Sequence, residues 1–198
     1  MSVSEMFSTV FAPELFVLLT TVSLTGYELQ WQEWGWKELV ERVAVVVAAY
    51  TLAFVVYQGV PSAVSIQVPG GDDFFASTGL IVGFAMIWFA WRSRSWGELV
   101  PAYSAVIVAT SVVHLVVVPF WDVSSHVVYA AVSSGFLTLA DRRFAVFLLV
   151  PLGLVWSRVA VEAHSVVESV GGLVFAAVIV AITVLGRNVS TGRLATAK

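Results

Sequence analysis

The stretch "SVVESVGGLVFAAVIVAITVLG", Ser165 to Gly186, decides the fold class, because it holds a single charged side chain, Glu168, in more than twenty residues. A helix needs about 20 predominantly apolar residues to cross roughly 30 Å of hydrocarbon, so this run is long enough to span a bilayer. Working back from it gives seven such segments in all, at roughly 10–26, 39–57, 76–91, 101–119, 124–140, 143–161 and 164–186. Of the 198 residues, 59% are hydrophobic and only 12% charged, whereas a soluble domain carries about 25% charged residues. These features predict an all-α integral membrane protein with about seven transmembrane helices, forming a single polytopic domain over 1–198 in a cell membrane. The polar gaps are too short for a further soluble domain. The opening "MSVSEMFST" lacks the basic stretch of a signal peptide, so the first helix is expected to be retained. There is no cysteine, which excludes disulfides, thiolate metal sites and cysteine nucleophiles.

The basic residues fix an expected orientation. Lys37 and Arg42, Arg92 and Arg94, Arg142 and Arg143, and then Arg187, Arg193 and Lys198 fall in every second connection and in the C-terminal tail. By the positive-inside rule the N-terminus is outside and the C-terminus inside. Nine of the ten basic residues obey this assignment, and Arg158 is the exception. Trp31, Trp34, Trp36, Trp88, Trp91 and Trp96 are expected to anchor an inner interfacial belt, with Trp121 and Trp156 in the outer one.

An internal echo adds a second pattern. "WKELVERVAVVVAAYTLAFVVYQGVP" from Trp36 aligns with "WGELVPAYSAVIVATSVVHLVVVPFW" from Trp96, sixty residues on. The pattern fits duplicated helical hairpins over 10–60 and 76–120, a device found in transporters, or convergent Val/Ala-rich composition.

Arg158 directs attention to its neighbours on the predicted outer side. His164 and Glu168 are four residues apart, so on one helical face a carboxylate would orient the imidazole and raise the basicity of its other nitrogen. Ser124, Ser125 and His126 stand where a helix begins, and free N–H groups there attract anions. Arg158 supplies a planar, permanently charged fork suited to phosphate oxygens. An anion cradle, a nucleophile, an orienting acid and a proton donor make a kit for phosphoryl transfer. Asp72 and Asp73 after "PGG" read as a turn, and Glu162 as solvated. His114, inside the fourth segment, is either a packed helix residue or a further ligand contact.

These residues resemble the type 2 phosphatidic acid phosphatase superfamily over Pro119 to Gly172. "SRVAVEAHSVVESVGG" is similar to its third signature, with Ser157, Arg158 and His164 on the spacing, Glu168 in place of Asp, and Gly172 on the trailing glycine. "DVSSH" resembles the second, with Ser124 and His126 retained and with Val123 and Ser125 in place of Pro and Gly. The resemblance implies a six-helix core, to which the seven segments add one. It also implies a phosphohistidine mechanism: His164 attacks phosphorus, Glu168 orients it, and His126 protonates the leaving alkoxide. Arg158 and the backbone near Ser124 and Ser125 hold the oxygens; outside the resemblance, His114 is read as a further substrate contact. The substrate would be a lipid-linked phosphate at the outer face, with no metal or cofactor.

The first signature is missing, since Ser111 and Val118 stand where its Lys and Arg belong. Losing two phosphate cations is expected to cost several kcal/mol of transition-state stabilisation, at roughly 1.5–3 kcal/mol per charge-assisted bond. The second reading is therefore a non-enzymatic seven-helix transport or ligand-binding protein using the same outer polar cluster. A retinal protein is excluded, because the last segment holds no lysine. A metal hydrolase built on His114, Asp122, His126 and His164 lacks a recognised ligand spacing. The expected partners are the lipid bilayer and an anionic lipid phosphate, without nucleic acid; self-association stays open.

Overall fold

Ser2 and Glu5 start the first helix with a reciprocal cap: the Glu5 N–H donates to Ser2 Oγ at 3.1 Å and the Ser2 N–H to Glu5 Oε2 at 2.6 Å. This helix, α1 (Val3–Val10), is followed by α2 (Pro13–Leu29) across a 47° bend. The expected first segment, 10–26, corresponds to α2, and α1 before it was not expected. Pro13 at the first position of α2 explains the break, because its ring fixes φ for a new helix and cannot donate to the preceding turn.

The computed structural model describes residues 1–63 and 71–186, and everything described in regular structure is helical. After α2 come α3 (Trp36–Phe54), a π-helical turn (Val55–Gly59), α4 (Val60–Ala63), α5 (Gly71–Arg94), α6 (Leu99–Val117) and α7 (Ser125–Ala140). A 3₁₀ stretch (Arg142–Leu148) then leads into α8 (Leu149–Ala160), and α9 (Val166–Gly186) ends the described chain. Among the described residues, five helices are long and apolar enough to cross a membrane, or six if the bent pair α1 and α2 is one span. The remaining expected segment, 124–140, is α7, a shorter apolar helix of 16 residues that rises only about 24 Å. Apolar side chains face outward along these helices: Val47 is 58% exposed and Phe54 64%, as lipid contact requires. The expected inner basic residues Arg187, Arg193 and Lys198 lie outside the described residues.

The chain forms two compact units, Met1–Ser23 with Asp122 onward, and Leu24–Trp121. In the first unit, α7 packs against α8 and α9, and α1 lies along α8. Its core gathers Phe16, Val127, Ala130, Val150 and Leu154, with Phe7, Phe11 and Phe147 against them. Gly153 admits α1 to this surface, since a Cβ there would sit 2.5 Å from Phe7 Cζ.

In the second unit, α5 packs on both α3 and α6. A Cβ on Gly79 would lie 2.5 Å from the Ala53 carbonyl oxygen, and one on Gly83 2.8 Å from that of Ala49. Small residues four apart on both helices thus bring the backbones close, the usual packing device within membranes. At one end of this unit a buried polar knot forms. Glu28 accepts from the Leu99 and Val100 N–H groups at the start of α6 and from the Trp91 indole. Arg42, 4% exposed, donates to Gln32 Oε1 at 2.7 Å and to the Trp96 carbonyl at 3.1 Å. The guanidinium groups of Arg42 and Arg94 stand 5.5 Å and 4.9 Å from the Trp96 ring. This corrects the expected tryptophan belt. Trp31, Trp34, Trp36 and Trp88 are exposed, but Trp91 and Trp96 are buried in an edge-to-face pair at 5.1 Å, because both are needed to wall in Glu28 and Arg42.

Candidate functional site

The spacing between Arg158 and His164 follows from how α8 stops. The Glu162 N–H donates to the Val159 carbonyl at 3.0 Å, and the Ala163 N–H to that of Arg158 at 3.1 Å. Glu162 itself holds φ +55°. This is a Schellman turn, normally ended by glycine. The His164 N–H also reaches the Arg158 carbonyl, at 3.3 Å. The five intervening residues therefore fold back and set His164 beside the helix end that carries Arg158.

His164 lies in this turn, before α9, so the expected shared helical face with Glu168 is not the actual arrangement. Ser165 caps α9: the Glu168 N–H donates to Ser165 Oγ at 3.2 Å and Glu168 Oε2 accepts the Ser165 N–H at 2.7 Å. This capping box swings Glu168 Oε2 back to 3.8 Å from His164 Nδ1. A second carboxylate, Asp122 Oδ2, lies 3.9 Å from the same nitrogen. Both distances exceed a hydrogen bond, and Nδ1 has no hydrogen-bond partner although its side chain is only 8% exposed. Nδ1 is thus the ring nitrogen turned to the two carboxylates.

The upstream segment docks on this turn. The Ser124 N–H donates to the Glu168 carbonyl at 3.4 Å. A Cβ on Gly172 would lie 3.2 Å from the Ser124 carbonyl and from Val127, so the trailing glycine permits this approach. Ser124 occupies the N-cap position of α7, yet its hydroxyl makes no cap bond and, fully buried, has no partner. Ser125 is the first residue of α7 and is buried. The Nδ1 of His126 is likewise buried without a hydrogen bond.

Arg158 and His126 share an open cleft of about 330 Å³, lined further by Glu5, Ser8, Thr9, Ala12 and Val161. The guanidinium donates to Ser8 Oγ at 2.9 Å, and one residue earlier Ser157 Oγ donates to the Ser4 carbonyl at 2.8 Å. His164, Glu168, Ser124 and Ser125 border the same turn and helix start but do not line that cleft. His114 belongs to the second unit, fully buried, with Nδ1 3.0 Å from Ser77 Oγ.

The sequence reading missed the part played by α1. Its signal was present as Ser2-x-x-Glu5, a capping-box pattern, while the burial of Ser4 and Ser8 runs against the usual apolar-inward rule. Asp122 beside His164 carries no local pattern and emerges only from folding. Among the described residues, no group of three or more His, Asp or Glu side chains is arranged to hold a metal ion. Comparison with protein-family models, curated proteins and solved structures finds no match to this chain.

Proposed function

We propose that this protein is a membrane-embedded phosphatase or phosphotransferase, acting on a lipid-linked phosphate at the outer face through a phosphohistidine intermediate. It would be a divergent relative of the type 2 phosphatidic acid phosphatases. The observation that carries the reading is the junction of the two resembling segments: the Ser124 N–H bonds to the Glu168 carbonyl at 3.4 Å, over the contact that Gly172 permits. The two segments, some forty residues apart in sequence, meet where α7 packs on α9. The orientation rests on the distribution of basic residues.

In the proposed reaction, His164 Nε2 attacks phosphorus while Asp122 and Glu168 favour the imidazolium that forms. A P–N bond forms, the P–O bond to the lipid breaks, and His126 gives its proton to the departing alkoxide. His126 then removes a proton from water, the hydroxide attacks phosphorus, and the P–N bond breaks to release phosphate. Arg158 holds the non-bridging oxygens and offsets the charge that develops on them. The test is phosphate release by the purified protein from short-chain lipid phosphates. Wild type is expected to turn over and His164→Ala to lose at least about a hundredfold, the scale of a lost catalytic group. Wild type that binds these lipids without any turnover would refute the enzyme and leave the ligand-binding reading, which the single guanidinium in the cleft favours.

A further inference from the structure

Arg158 stands in the last turn of α8, and its side chain is long, with many rotamers. The guanidinium reaches across to α1, where Nη1 donates to Ser8 Oγ at 2.9 Å. Ser8 is 6% exposed and, with Arg158, lines the cleft. The grip is reciprocal. A helix as short as α1 is marginal on its own, and α8 seats it. Ser157 Oγ donates to the Ser4 carbonyl at 2.8 Å, and the next residue, Arg158, donates to Ser8 one turn further on. Phe7 covers Gly153 between these two contacts. The capping box of Ser2 and Glu5 starts the helix just ahead of them, so the serines at 4 and 8 share one face. Consecutive residues of α8 thus hold one full turn of α1, and that turn holds the guanidinium.

The kind of acceptor matters. Elsewhere Arg94 and Arg143 are held by carboxylates, Glu41 at 2.6 Å and Asp141 at 2.7 Å. A carboxylate fixes a guanidinium and cancels much of its charge, whereas a hydroxyl fixes it and leaves the charge for a ligand. A guanidinium has five N–H donors, so the one bond to Ser8 does not exhaust its fork.

From these contacts we infer that Ser8 is a positioning residue of the phosphate site: its hydroxyl, set by the docking of α1 on α8, orients the Arg158 guanidinium for the ligand. The inference deepens the phosphate-site reading above and rests on it for the role of Arg158. A side chain already held in place loses less rotamer freedom when the ligand binds. The first helix is thereby part of the site, although it carries none of the resembling motifs.

The test is a double-mutant cycle on the binding of short-chain phosphatidic acid to the full-length protein in detergent, read by calorimetry. Ser8→Ala is expected to weaken binding about fivefold, the scale of immobilising one long side chain. Arg158→Gln should weaken it at least about tenfold, the scale of a lost charge-assisted contact. In the Arg158→Gln background, Ser8→Ala should change affinity by less than about twofold, because no guanidinium is left to orient. A serine with only a structural role would weaken binding equally in both backgrounds. That result, or an unchanged affinity in Ser8→Ala alone, overturns the positioning role. If Ser8→Ala does not fold, Ser8→Cys takes its place in the cycle with the same expectations. It is nearly isosteric, offers only a weak acceptor, and enters a chain without other cysteines. Should wild type not bind phosphatidic acid, or Arg158→Gln bind it as tightly as wild type, the phosphate-site reading itself fails and the role of Ser8 falls with it.

Discussion

Glu162 sits at φ +55°, in the left-handed region, at the turn that brings His164 back to Arg158. A side chain there is strained by about 1 kcal/mol relative to glycine. Glu162→Gly is therefore expected to raise apparent stability by about 0.5–1 kcal/mol, read as a higher unfolding temperature in detergent, with turnover unchanged. Glu168 carries two duties that substitution separates. Glu168→Ala removes the side-chain half of the α9 capping box, leaving the Ser165 N–H without its acceptor, and should cost about 0.5–1 kcal/mol of stability, whereas Glu168→Gln keeps the whole box. Loss of turnover in both, with loss of stability only in Glu168→Ala, would assign the charge to His164. The spacing of Arg158, His164 and Glu168 was legible in the sequence. The reason for it was not, because a glutamate stands where glycine normally announces the end of a helix.

Among the elements, the close crossing of α3 and α5 is the sharpest structural commitment. Gly79 faces the Ala53 carbonyl so closely that a methyl group cannot enter without moving backbone. Gly79→Ala should destabilise the protein by about 1–3 kcal/mol, the usual effect of overpacking, measured by thermal unfolding in detergent. A substitution at Gly26, where nothing lies within 4 Å of a Cβ, provides the control. Apolar runs marked the long helices well, because hydrocarbon demands length and little else. The same uniformity hid the details: α1 buries serines and exposes valines, and Trp91 and Trp96 turn inward to enclose Glu28 and Arg42. Hydropathy carries no information about which face of an apolar helix meets protein.

At the scale of the whole molecule, the described residues hold five or six helices suited to a membrane, and the chain forms two compact units with different polar contents. His126, Arg158, His164 and Glu168 all belong to the unit of Met1–Ser23 and Asp122 onward, while His114 and the Glu28–Arg42 knot belong to the other. The N-terminal segment joins the unit of the two resembling motifs, a partnership over some 150 positions that no local pattern announces. His164 is the residue proposed to carry the phosphoryl group. The most direct measurement is incorporation of labelled phosphate from a lipid phosphate into the purified protein, quenched in alkali, where a phosphohistidine survives. Acid-labile label is expected on His164 and absent from His164→Ala. Turnover without label on His164, or label that persists in His164→Ala, would contradict it.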